Sequence, residues 1–175
     1  VLEQIGMDRV REHESALTMR LLTGLCGIQG VHILGACDPD RTDDRLGVVT
    51  FTVVGVHHAL VAAILAHEHG VSVRHGCFCA HPLIKRLLRV PQEEEERLEQ
   101  SIRHGDRREI PGGVRVSIGI HNDEEDVDRF LEGMRAIAGR KWRVRYDQDP
   151  VTGEFRPSGA EPSFESLPSF EDPLF

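Results

Sequence analysis

Helical and strand periods alternate along this chain, and their order constrains the fold more than any other feature of the sequence. From Met7 onward, apolar Val10, Leu17, Leu21 and Leu25 recur at helical spacing, and Gly27 is placed to stop that helix. Residues 31–34 read as a short strand, CDPDRTDDR (37–45) as a polar turn, and VVTFTVV (48–54) as a β-branched strand broken by Gly55. Leu60, Val61, Ile64 and Leu65 mark a helix that ends before Gly70, with a short strand expected at 71–73. Residues 83–90 hold a helical turn or two. Pro91 then opens a helix with acids at 93–96, Arg103 and His104 in its last turn and Gly105 as stop, an arrangement that complements the helix dipole. VRVSIGI (114–120) is a strand, and Asn122 with Glu125 reads as the N-cap of a last helix whose buried stripe is Val127, Phe130, Leu131, Met134 and Ile137. This order predicts an α+β fold, with helices on one face of a mostly antiparallel sheet.

With 175 residues, 39% of them hydrophobic, the chain is long enough for one domain with a real core plus a tail. The domain is expected over 1–147. The tail is expected over 148–175, where the PSFESLPSFEDP repeat of Pro, Ser and acid reads as disordered. Its Phe164, Phe170 and Phe175 could dock on a partner, but a bare tail is the simpler reading. A net charge of −8 argues against nucleic acid as a partner. Two basic clusters, Arg74 with Lys85, Arg86 and Arg89, and Arg140 with Lys141, Arg143 and Arg145, read as solvated helix ends. No apolar run is long enough to span a bilayer, and no signal peptide is visible. Four cysteines are too few for a disulfide scaffold, so a cytoplasmic, reduced setting is expected. Residues 2–6, behind an initial Val1, read like the end of a preceding element, so the chain is expected to be the C-terminal part of something longer.

The stretch that asks for chemistry is RHGCFCAHP, beginning at Arg74. His75, Cys77, Cys79 and His81 could ligate zinc, but structural zinc uses wider cysteine spacing and a second pair, so no metal is expected. A Cys77–Cys79 disulfide would close a strained ring. Ordinary buried thiols are the plainest reading, and Cys26 and Cys37 are taken that way. Cys79 has a stronger claim as a nucleophile. It follows a strand end in a glycine-containing loop, and cationic neighbours such as Arg74, His75 and His81 lower a thiol's pKa.

The run GVHHALVAAILAHEHGVSVRHGCFCAHPL resembles the C-terminal region of class V aminotransferase-fold enzymes, specifically the cysteine desulfurase and selenocysteine lyase group. That group carries Gly-x-His-His, then Gly-Ile/Val-x-Val-Arg, then Arg-x-Gly-x-x-Cys-Ala-x-Pro-Leu. Gly55, His57, His58, Gly70, Arg74, Gly76, Cys79, Ala80, Pro82 and Leu83 match. VRVSIGIHNDEEDVDRFLEGM resembles the Arg-x-Ser strand and helix that follow in those enzymes, and the likeness runs from about Met7 to Ile137.

The resemblance implies the small C-terminal domain of a fold-type I (α/β) pyridoxal 5'-phosphate enzyme, a homodimer that moves sulfur from L-cysteine through a cysteine persulfide to an acceptor protein. Cys79 falls at the sulfur-accepting position. Arg115 falls where the family binds the substrate carboxylate, a planar target that suits a guanidinium. Arg74 matches the motif arginine and is expected to hold the loop or the polar network of the site. Cys77 and Phe78 stand where many desulfurases have His-His, and the Gly-Cys-Phe-Cys form resembles the loop of molybdenum-cofactor sulfurases. Cys77 then shares or resolves the persulfide, or merely packs, and His75 is an auxiliary candidate.

The family places its aldimine lysine and phosphate-binding residues on a large upstream domain, absent here. Lys85 and Lys141 sit in no matching context, and no Gly-rich phosphate loop is present. No cofactor-binding residue is therefore expected in this chain, and alone it is expected to be inactive. Two other readings stand: a class V aminotransferase or epimerase without persulfide chemistry, and a stand-alone sulfur-carrier or thiol module. Residues 85–113 form a longer segment than compact desulfurases have, and no function is read for it.

Overall fold

The computed structural model describes residues 2–38 and 45–159. Its elements, in chain order, are helices α1 (Leu2–Ile5) and α2 (Met7–Cys26), strands β1 (Val31–Ile33) and β2 (Val48–Val53), α3 (His58–His69), β3 (Arg74–Gly76), α4 (His81–Leu87), α5 (Gln92–Arg103), β4 (Gly113–Ser117), α6 (Glu124–Ala138), β5 (Tyr146–Gln148) and β6 (Phe155–Pro157). Strands β1, β2, β4 and β3 form one sheet in that spatial order, every neighbour antiparallel, and β5 and β6 form a separate hairpin.

Alternation along β2 decides which face is covered. Val49, Phe51 and Val53 point to one side and are buried, joined by Val114 of β4. Leu17, Leu21, Leu22 and Leu25 of α2, Val61, Ile64 and Leu65 of α3, and the apolar stripe of α6 close over that side. Phe51 meets Phe130 edge to face, ring centres 6.0 Å apart. Helices α2 and α6 approach so closely that a Cβ on Gly24 would lie 2.3 Å from Leu131 Cδ1. The expected architecture, helices on one face of an antiparallel sheet, is what forms. The opposite face carries Thr50, Arg115 and Arg74 in one row across β2, β4 and β3.

Two local expectations are corrected. The strand expected at 71–73 lies instead at Arg74–Gly76. Val71 is used to end α3: with Gly70 left-handed (φ 65°), the Val71 N–H reaches back 3.0 Å to the Leu65 carbonyl and cannot enter a ladder. The N-cap of α6 is Asp123, which accepts from the Asp126 N–H, while Asn122 accepts from the Gly119 N–H and closes the preceding turn.

Order also continues past 147. Asp149 Oδ1 accepts from the N–H groups of Val151 and Thr152, the β5–β6 turn is completed by Gly153 at φ 78°, and the described chain runs to residue 159. The Glu68 carboxylate docks the lead-in to the hairpin on α3, accepting from the Arg143 and Val144 N–H groups and the Tyr146 hydroxyl. The PSFESLPSFEDP repeat with its phenylalanines, and most of the polar turn after Cys37, lie outside the described residues. No described helix is long and apolar enough to cross a membrane.

Candidate functional site

Strand β3 is an edge strand, and the cysteine loop leaves its end at Gly76. Phe78 (φ 52°) and Cys79 (φ 60°) are both left-handed, a conformation that costs a non-glycine residue about 1–2 kcal/mol. The Ala80 N–H closes the turn onto the Cys77 carbonyl at 2.7 Å, and α4 starts at the next residue. In an extended segment, residues 77 and 79 would point the same way; here the turn parts them. Cys77 is buried, and its thiol donates to the Pro111 carbonyl at 3.1 Å, whereas Cys79 is exposed. Burial pushes the Cys77 thiol up from its ordinary range, with Lys85 acting in the opposite sense. Cys77 is thus a packed, protonated thiol.

Arg115 on β4 faces Arg74 on β3 and Thr50 on β2 across the ladders. Like charges directly opposite each other on neighbouring strands repel unless an anion lies between them. The Arg115 guanidinium carbon lies 5.2 Å from the centre of the Phe78 ring, a cation–π contact made possible by the left-handed turn. Its Nε is buried with no hydrogen-bond partner among the described residues. A guanidinium held by one face suits a planar two-oxygen anion.

Behind the loop runs a chain of histidines. His58 Nε2 is 2.9 Å from the Ile110 carbonyl, His58 Nδ1 is 3.1 Å from His75 Nδ1, and His75 Nε2 is 2.9 Å from Glu154 Oε2. The carbonyl can only accept, so His58 donates from Nε2. Burial, the largest cause, pulls the His58 pKa down to about 4, leaving the ring neutral near pH 7 with Nδ1 as acceptor. His75 Nδ1 then donates to His58, and its Nε2 faces the Glu154 carboxylate. His57, tilted against His58 at 4.2 Å, is lowered for the same first reason, burial. The seam leaves no room at Gly112, where a Cβ would lie 2.7 Å from both Gly76 Cα and His58 Nε2.

The structure therefore gathers Arg74, Arg115 and Cys79 around the end of the sheet, and places Cys77 and His75 behind them. Cys77, His75, Cys79 and His81 do not converge, and among the described residues no group of three or more His, Cys, Asp or Glu side chains is arranged to hold a metal. Cys26 and Cys37, expected as buried thiols, are exposed, because one ends α2 and the other follows β1, both outside the core. Sequence reasoning gave no role to Phe78, His58 or Glu154. His58 carried a signal in its motif, but Glu154 fell in the segment read as tail.

The sequence pattern of the family described as aminotransferase class-V matches residues 1–130. The chain is 37% identical over 130 residues to a probable cysteine desulfurase of Pseudomonas aeruginosa, a match covering 74% of this chain and 25% of that protein. It is 32% identical over 133 residues to a probable cysteine desulfurase of Pseudomonas putida, covering 76% and 26%. The apo structure of a cysteine desulfurase from Thermococcus onnurineus NA1 superposes with a TM-score of 0.61 at 31% identity, over 79% of this chain and 28% of that one. The chain spans about a quarter of the length of the curated relatives it matches.

Proposed function

Because this chain belongs to the aminotransferase class-V family, we propose that it is the C-terminal, small-domain part of a pyridoxal-phosphate-dependent cysteine desulfurase in which Cys79 takes sulfur from L-cysteine as a persulfide. The observation that carries this reading is the parting of the two loop thiols, Cys79 outward and Cys77 inward. A group that must reach a substrate and then a second acceptor needs an exposed position on a short loop.

The family's cofactor supplies an electron sink, but the residues present here do not make its anchor. Lys85 Nζ is bonded to Glu95 at 2.8 Å, which holds its pKa above the ordinary value, so it is a paired cation rather than a free amine. Lys141 is exposed beyond α6. The chain's own residues make the substrate-side wall. Arg115, steadied by Phe78, binds the substrate carboxylate, and Arg74 adds the second positive charge. Cys79 Sγ attacks the substrate sulfur: the S–S bond forms as the carbon–sulfur bond breaks, its electron pair stays on carbon, and a proton completes alanine. Cys77 packs and carries no sulfur. The domain extends through the β5–β6 hairpin, and the whole enzyme is a cytoplasmic homodimer that passes sulfur to an acceptor protein. The isolated chain does not turn over.

The test measures alanine and sulfide release from L-cysteine by the native protein carrying this chain. Cys79→Ala is expected to abolish both, by at least about 10³-fold, and Cys77→Ala to retain them within about tenfold. Full activity in Cys79→Ala would overturn the role of Cys79, and no alanine or sulfide release by the unaltered protein would place it among class V members without persulfide chemistry.

A further inference from the structure

Away from the cysteine loop, two exposed thiols touch. Cys26 is the last residue of α2, and Cys37 follows β1. Their sulfurs are 3.3 Å apart, and Cys26 Sγ also lies 3.5 Å from the Cys37 carbonyl.

The fold holds both ends of this contact. On the helix side, Leu25 and Ile28 are buried, and the Ile28 N–H bonds the Leu25 carbonyl, which fixes how the chain leaves α2. On the strand side, β1 is registered on β2 from Val31 to Ile33, the Leu34 N–H bonds the Thr50 carbonyl, and Arg45 donates to the Ala36 carbonyl next to Cys37. Two anchored backbones thus bring the thiols together. A disulfide needs its sulfurs at about 2.0 Å, so the observed contact has to shorten as the two side chains turn.

We propose that Cys26 and Cys37 form a reversible dithiol–disulfide couple, a modification site whose oxidant is a low-molecular-weight disulfide. One protein thiolate attacks the small disulfide and expels one small thiol. The second protein thiol then attacks the mixed disulfide and expels the other. Two protein S–H bonds are lost and one protein S–S bond is formed; the small disulfide is reduced to two thiols, which carry away the two electrons and two protons. Partial desolvation against its neighbours, then the hydrogen bond to Cys37, raises the Cys26 pKa, which suits Cys26 to the second, resolving attack. Oxidation staples the end of α2 to the exit of β1 and is independent of the chemistry at Cys79.

The test equilibrates the native protein, carrying Cys79→Ser to remove the loop thiol as a competitor, with glutathione disulfide. It is then acid-quenched, alkylated and peptide-mapped. The expected product is a Cys26–Cys37 cross-link, reversed by dithiothreitol. It should exceed glutathione adducts at either cysteine by at least about tenfold, the advantage of an intramolecular attacker. With Cys26→Ser or Cys37→Ser, the remaining cysteine should carry glutathione instead. Glutathione adducts on both cysteines, or both left as free thiols, with no cross-link in the parent protein, would overturn the proposal.

Discussion

Behind the cysteine loop, the side-chain polar atoms of Cys77, His58 and His75 all have partners, Pro111, Ile110, Glu154 and one another, although the neighbouring His57 Nε2 is buried without one among the described residues. In front of it, Cys79 is exposed, and the Arg115 Nε is buried without a partner among the described residues. The two sides meet at one loop and share a strand, yet they do different work. A satisfied polar seam fixes position, because breaking any one bond leaves a buried donor or acceptor exposed to a dry environment. Unpaired groups held in place by their surroundings are what a substrate can use. The difference between Cys77 and Cys79 is not one of residue type. It is created by two left-handed residues that turn the chain through the loop.

If that division is right, damage behind the loop should appear as lost stability and damage in front as lost activity. The largest stability effect is expected from pH acting on His58. Its folded pKa, about 4, lies below the ordinary 6.5, so the unfolded chain binds the extra proton between those values. Stability therefore falls as pH drops through that window, by up to about 3 kcal/mol from this one group. Denaturant unfolding across the window should show the slope, and His58→Gln should remove it. A slope unchanged in His58→Gln would take the seam out of the stability account.

In front of the loop, Arg115→Lys keeps the charge but loses the planar fork. It is expected to raise KM for L-cysteine by about 100-fold while leaving the unfolding midpoint within experimental scatter. Steady-state kinetics and a melt on the same preparation would sharpen the comparison; a destabilised variant with unaltered KM would break it. The smallest effect is expected from Glu154→Gln. The His75–Glu154 pair is partly exposed, so its loss should cost below about 1 kcal/mol, seen as a small, salt-sensitive drop in unfolding free energy.

Much of the scaffold was legible because it follows from local periodicity. The stripes of α2, α3 and α6 and the β-branched run of β2 each mark their element to within a few residues. Strand β3 was misplaced because its register is decided by Gly113 to Arg115, far along the chain, and by a helix cap that uses Val71. The hairpin was missed although Asp149 and Gly153 are ordinary turn residues, since they directly precede an acidic, proline-rich repeat that dominates the composition there. The candidate residues Cys79, Arg74 and Arg115 came from motif matching. Their surroundings did not: Phe78 over Arg115, and Glu154 on His75, are tertiary contacts with no sequence signature. The same is true of the Cys26–Cys37 contact, which depends on where a helix end and a strand exit meet.

The central claim is that Cys79, and not Cys77, receives sulfur. The direct measurement is a single turnover of the native protein with L-cysteine, trapped by an alkylating reagent and localised by peptide fragmentation across Phe78. One additional sulfur is expected on Cys79 and none on Cys77. Additional sulfur on Cys77, or alanine release with neither thiol carrying sulfur, would contradict it.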